Sequence, residues 1–323
     1  KNEQIKKNLL SGEFISFVSR RGICLIFAFM KFGKVEIPYL VDFTLPADHP
    51  ATANVLPGAK SDEFNVYVGC ARWSKSDLKG FYPRGTKDEL TYYSTQFNSI
   101  ELNATYYTQP SDGQVIRWRD KTPADFRFFP KITNSISHYR RLLNVNQLTD
   151  AFCDAVIHFE EKLGTVFLQL NNQFSPREFT KLAAFVEYFP KSIPLAVEVR
   201  NEQWFSDPQT WDEFCSLLQS NNVTNLITDT AGRRDLLHQR LTTSSAFIRF
   251  TGSNIYEIDY LRMDEWLERI GKWQKKGLKN LFFFIHQNME ASSPFLASYF
   301  IEKVNSMFGK SMHVPVKLEK THR

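Results

Sequence analysis

From residue 65 to residue 309, short apolar runs alternate with longer amphipathic segments, and the alternation repeats eight times. Runs rich in β-branched and aromatic residues, each followed by a stretch with helical spacing or a short helical connection, predict parallel strands joined by crossovers. The strands fall at 65–71, 99–107, 127–132, 165–171, 194–200, 224–230, 246–252 and 280–287. Helices are predicted over 86–97, 112–121, 146–164, 175–189, 210–222, 264–277 and 293–309. The third is expected to end on Gly164, and the fourth to open with Ser175 as cap and Pro176 at its first position. Eight such units over 245 residues match the count and length of a single-domain (β/α)8 TIM-like barrel, an α/β fold. A doubly wound open sheet is the competing architecture, but the first strand lacks the G-x-G-x-x-G turn of that class.

Outside this unit, residues 1–64 read as an N-terminal extension or arm and 310–323 as a polar tail. Pro38, Pro46, Pro50 and Pro57 make residues 30–64 extended rather than a second domain. The stretch MKFGKVEIPYL, from Met30, reads as a native start, which would make the first 29 residues an addition.

The second strand, SIELNATYY, carries Glu101 and Asn103 on one face and Ile100 and Leu102 on the other. A carboxylate on a buried face is costly unless paired or solvated, so the polar face must meet a special environment. In a barrel the outward face packs on helices, and polar residues late in each strand point toward the axis. The same parity selects Lys131, Gln169 and Asn171, Glu198 and Arg200, Asp229, Arg249 and Thr251, and His286. Their outward neighbours are Leu102, Ile132, Leu168, Leu170, Val197, Val199, Thr228, Phe250 and Ile285. Charge is thereby gathered at the carboxyl ends of the strands, where enzymes of this fold keep their sites.

The formal charge is +5, but residues 1–29 hold five Lys/Arg against two Glu, so only +2 remains for the rest and general nucleic-acid affinity is not implied. Cysteines at 24, 70, 153 and 215 show neither C-x-x-C nor zinc-ligand spacing, which fits a reducing cytoplasm. The apolar run 22–30 is too short to span a bilayer, and no membrane association is expected.

VGCARW at 68–73, FYP at 81–83, YYSTQFNSIELNATYY at 92–107, Pro110, Trp118 and TP at 122–123 together resemble the YecE-like family, domain of unknown function 72. Lys131, His138, FLQL in the fourth strand, VEVRNEQWF at 197–205, Asp229 and the IRF before Gly252 extend the resemblance over roughly residues 65–300. It implies a TIM-like barrel and brings no established reaction. Cys70, Thr251-Gly252 and His286-Gln287 depart from the pattern expected of that family.

Glu101 and Glu198, on strands expected to lie well apart, are the acid/base candidates, with Asp229 beside them. The competing interpretation is an ion-pair network in which they neutralise Lys131, Arg200 and Arg249. Those three cations would hold an anionic group, while Asn103, Gln169 and Asn171 orient polar groups. A depressed Lys131 would be a Schiff-base nucleophile, but the neighbouring acids argue for a charged amine. Glu101, Glu198, Asp229 and His286 could ligate a divalent metal, yet no H-x-H or H-E-x-x-H spacing supports one and no cofactor is predicted. His138 would reach over the mouth from its loop, and Trp73, Tyr82, Tyr106 and Trp204 would stack on a sugar or base, or simply cap the barrel. The expected function is an enzyme acting on a small anionic or polyhydroxylated molecule. The alternative is a binding module for a nucleotide, a phosphate-bearing ligand or nucleic acid.

Overall fold

The computed structural model describes residues 33–61 and 63–316. The expected eight strands are present among them: β1 Asn65–Cys70, β2 Ser99–Leu102, β3 Arg127–Pro130, β4 Val166–Gln169, β5 Leu195–Glu198, β6 Thr224–Thr230, β7 Ser245–Thr251 and β8 Asn280–His286. They form two parallel sheets rather than one continuous ladder, a six-stranded sheet in the order β1-β8-β7-β6-β5-β4 and a pair β2-β3. Phe129, Phe167, Ala196, Leu226, Phe247, Phe282 and Phe284 make one cluster inside the curve of the strands. Side chains from strands this far apart in the order meet only if the large sheet curls into a half-barrel.

Side chains and single bridges join the two sheets. Between β3 and β4, Lys131 pairs with Phe167 and Phe128 with Leu163 as isolated parallel bridges. Between β1 and β2, Asn98 accepts from Val68 N at 3.0 Å and donates to Val66 O at 2.8 Å, replacing a backbone ladder. The Tyr93 hydroxyl adds a second splice, accepting from Cys70 N at 2.7 Å and donating to Ser99 O at 3.1 Å. Gly69 permits this approach, because a Cβ there would collide with the Ser99 carbonyl. Gly69→Ala is expected to cost about 1–3 kcal/mol, the usual penalty of overpacking, measured by urea denaturation.

Helices α1 Glu89–Gln96, α3 Asp112–Asp120, α4 Asn146–Val156, α5 Phe179–Tyr188, α7 Pro208–Ser220, α8 Tyr256–Lys275 and α9 Ser293–Phe308 follow the strands, with short turns α2 Ala104–Tyr107 and α6 Gln203–Ser206. They cover the outer face, where Val68, Ile100, Phe128, Leu168, Val197, Ile227, Ile248 and Phe283 join the main core. No helix among the described residues is long and apolar enough to cross a membrane.

Several boundaries move for physical reasons. β2 stops at Leu102: Asn103 turns helical (φ −75°, ψ −12°), and Thr105 Oγ1 donates to Leu102 O and Lys131 O, so 103–107 is not strand. The helix expected to run to Gly164 ends at Val156, and left-handed Glu160 breaks the 3-10 turn after it. Gly164 serves the sheet instead, its N–H donating to Phe128 O at 2.8 Å. Ser175 makes no side-chain cap bond; a 3-10 turn, Pro176–Glu178, precedes α5. α8 begins eight residues earlier than its apolar spacing indicates, where Asp259 accepts the Ser253 N–H at 2.8 and 2.9 Å.

The proposed start at Met30 and the stretch before it lie outside the described residues. From Gly33 onward the arm is extended apart from 3-10 turns at Pro38–Leu40 and Pro50–Asn54. It is held against the β6–β7 side by Thr52 Oγ1 to Gln239 O (3.0 Å), Trp273 Nε1 to Asp48 (3.0 Å) and the Phe43 ring under Arg262 (4.6 Å). Residues 310–316 are docked too, with Asn305 and Met312 exchanging two hydrogen bonds and Val316 N donating to Gln96.

Candidate functional site

The carboxyl ends of β2, β3, β4, β5, β7 and β8 bring together Glu101, Lys131, Gln169, Glu198, Arg249 and His286. Arg249 is the hub. Its Nε and Nη2 donate to the two oxygens of Glu101, each at 2.9 Å, and its Nη1 donates to Glu198 at 2.8 Å. One fork so shared is the geometry for which arginine is suited. His286 Nε2 lies 2.9 Å from Glu101 Oε2, and Asn103 donates to Glu101 Oε1 at 2.8 Å. Arg200 pairs with the other oxygen of Glu198. Gln169 then links the acids to the amine, donating to Glu198 at 2.9 Å and accepting from Lys131 Nζ at 2.7 Å. Lys131 Nζ also lies 4.2 Å from the centre of the Tyr106 ring, which packs edge-on against His138 at 5.2 Å.

The carboxylates are therefore not separated by a gap for substrate, as their strands suggested; a guanidinium bridges them. Burial alone would raise Glu101, but Arg249 and His286 hold it well below the usual carboxylate range. Burial likewise opposes ionisation of Glu198, and Arg200 and Arg249 overcome it to hold the group at about 2. Both acids are thus charged at neutral pH and unable to donate protons. Lys131 moves the other way: burial, then Arg249 and Arg200, push it down to about 7 against the pull of Glu101 and Glu198. The acids offset that burial only in part, whereas the sequence suggested that they would keep the amine charged. Burial, Lys131 and Arg200 push His138 down to about 4, so it is neutral at pH 7, with Nδ1 at 2.9 Å from Ser137 Oγ.

Asp229 is not in this cluster. It accepts from Arg262 Nη2 and Trp266 Nε1 of α8, both at 2.8 Å, and from Arg234. Leu226 belongs to the interior cluster, so period-2 alternation turns Thr228 and Thr230 inward and Asp229 outward. β6 is the strand where taking the charged residue as the inward one fails. The metal set of Glu101, Glu198, Asp229 and His286 consequently does not converge, and no group of three or more potential ligands occurs among the described residues.

Three of the rings have structural duties. Trp204 is fully buried and donates to Phe174 O at 2.8 Å. Trp73 packs edge-on against Trp118 at 5.9 Å, and Tyr82 donates to the Trp73 carbonyl. Asn171, just past β4, accepts from Gln173 N at 2.9 Å and stabilises its own loop. Thr228, expected on the outward face, instead faces inward with Thr230; the apolar Leu226 two residues earlier was the available signal.

A cleft of about 720 Å³ opens at the other end of the strands, beside Tyr67, Phe129, Thr224 and Asn280. Its cations Arg127 and Lys191 bond backbone carbonyls and an asparagine, so it lacks the convergent charges of the mouth.

A curled parallel α/β half-barrel with its ionisable side chains at the strand carboxyl ends is the class of protein this fold and cluster define. The chain belongs to the family described as Protein of unknown function DUF72, whose profile matches residues 67–318. It is 28% identical over 250 residues to the UPF0759 protein YecE of Escherichia coli K12, spanning 71% of this chain and 89% of that one. With the UPF0759 protein YunF of Bacillus subtilis 168 it shares 22% over 255 residues, 69% of this chain and 89% of the relative. A DUF72 family crystal structure from Thermotoga maritima MSB8 superposes with a TM-score of 0.60 at 26% identity, covering 75% of this chain and 99% of that one. Another, from Enterococcus faecalis V583, gives 0.60 at 18% identity over 78% of this chain and 100% of that one, a likeness of fold alone.

Proposed function

We propose that the two sheets act as one closed (β/α)8 barrel and that the protein is an enzyme handling a small anionic or polyhydroxylated molecule at the mouth. The single bridges at β3–β4 and the Asn98 and Tyr93 splices at β1–β2 support closure. The observation that carries the chemistry is Lys131: a buried amine, held between Gln169 and Tyr106, whose protonation changes near neutral pH. A group with a pKa near the working pH is the efficient one for proton transfer. Lys131 therefore takes the acid/base role first expected of the two glutamates. Glu101 and Glu198 serve as fixed charges that aim Arg249 and Arg200, whose positive field favours an anionic substrate. Neutral His138 and the Tyr106 ring form the adjoining wall.

A thermal-shift screen of sugar phosphates, sugar acids and nucleotides, followed by turnover assays of each stabilising compound, tests this. Turnover of one of them should depend on a group titrating near pH 7 and fall about 10²–10⁴-fold in Lys131→Gln, with the stabilisation retained. Stabilising compounds that are never turned over would leave a binding module and end the enzymatic reading.

A further inference from the structure

Two hydroxyls on β6 have no part in the network just described. Thr228 is 3% exposed and Thr230 0%, and the Oγ1 of each has no hydrogen-bond partner among the described residues. A buried hydroxyl left unpaired is destabilising, and valine would fill the same volume without that penalty. Two such groups, two residues apart on one strand face, therefore ask for a partner that the described residues do not supply.

Their position says where that partner lies. Leu226, Thr228 and Thr230 share the inward face of β6, with Leu226 in the aromatic interior. The register pairs Thr228 with Arg249 and Thr230 with Thr251, so the hydroxyls begin at the level of the charged hub and continue toward the mouth. Thr230 Oγ1 lies 3.4 Å from where a Cβ on Gly33 would sit, and Gly33 accepts from Asn288 Nδ2 at 3.1 Å, so the arm closes the outer end of the row.

We propose that Thr228 and Thr230 are specificity-determining contacts for the hydroxyl groups of the ligand, which is a polyhydroxylated anion such as a sugar phosphate or sugar acid. A threonine hydroxyl both donates and accepts, as a sugar hydroxyl does, whereas the mouth's carboxylates are already engaged by arginines. The inference rests on the anionic-ligand reading of the mouth and adds the polyol to it. Arg200 takes the anionic end, and β6 reads the carbon chain.

The test compares inorganic phosphate, glucose 6-phosphate, 2-deoxyglucose 6-phosphate and gluconate as stabilisers of the wild type, Thr228→Val, Thr230→Val and Thr228→Ser. In the wild type, glucose 6-phosphate or gluconate should stabilise more than inorganic phosphate. Each valine should weaken that sugar ligand about tenfold, the value of one net hydrogen bond, and leave phosphate stabilisation unchanged. The ligand-free valine variants should melt no lower than the wild type, because an unpaired buried hydroxyl is gone; a merely structural hydroxyl would lower the melting temperature instead. Thr228→Ser should restore sugar binding. If phosphate stabilises but neither sugar anion adds anything, or the valine variants keep the sugar advantage, the hydroxyl row is overturned and the anion site stands. If no anion stabilises the wild type, both readings fall. Should a valine variant not fold, weaker stabilisation of the wild type by the deoxy sugar than by glucose 6-phosphate supports the row, and equal stabilisation by both sugars overturns it.

Discussion

Arg249→Met should lower the stability of the folded protein by about 3–5 kcal/mol, the range for breaking a buried ion pair and stranding its partners. The substitution keeps the aliphatic bulk but leaves Glu101, 0% exposed, and Glu198, 1% exposed, without the guanidinium that both share. The pH dependence identifies the cause. In the wild type both carboxyls are depressed, so their contribution is present above the unfolded value near 4.5 and is lost only as pH falls through the folded values, about 2 for Glu198. Without Arg249 the burial penalty is less fully offset and both carboxyls move up, so the deficit should be greatest at neutral pH and shrink as the pH approaches 4. Urea titrations at several pH values measure it. Adding Glu101→Gln and Glu198→Gln should recover much of the loss, and a deficit that ignores pH and is unrelieved by the glutamines would contradict the electrostatic account.

The second large effect belongs to Lys131. Its amine falls from 10.5 to about 7 on folding, so between those values the unfolded chain binds the extra proton. Stability of the wild type relative to Lys131→Met should therefore rise with pH across that window, by up to about 1.4 kcal/mol per unit. Accumulated over the window, the swing is on the order of 4–5 kcal/mol. Below pH 7 both states are protonated and the difference is constant; above about 10.5 both are neutral and it is constant again, at the higher level. Denaturation curves of the two proteins from pH 6 to pH 10 check this, and parallel stabilities across the range would show that the amine is not depressed.

The two variants probe opposite sides of one arrangement. Arg249 is a cation that burial cannot neutralise, because two carboxylates embrace it. Lys131 shares the same acids at second hand, through Gln169 for Glu198, and its burial therefore wins. That difference separates the residue that holds the site together from the residue able to exchange a proton.

Most of the fold was legible in the strand pattern. Outward residues such as Leu168, Val197 and Ile227 are apolar because helices cover them, and that alternation survives without any knowledge of partners. Glu101, Lys131, Gln169, Glu198, Arg249 and His286 were found by the same parity, because a polar residue late in a strand of this fold has one place to go. The method failed at Asp229, where a buried salt bridge to Arg262 of α8 made a charged residue acceptable on the helix-facing side. Parity did not bear on Trp204, for which stacking on a ligand and capping the barrel were both open; its indole N–H is satisfied by the Phe174 carbonyl within the core. Neither partner is close in sequence, so no local pattern announces either one.

The sequence by itself determined which elements form, their parallel order and the end of the strands where charge collects, since periodicity and burial are properties of neighbouring residues. Only the tertiary structure decided that one guanidinium lies between the two acids, that the lysine rather than a glutamate titrates near neutrality, and that two threonine hydroxyls face the interior unpaired. Ionisation and hydrogen bonding are set by distances of about 3 Å between residues that lie tens to more than a hundred positions apart in the chain, and only folding specifies those distances.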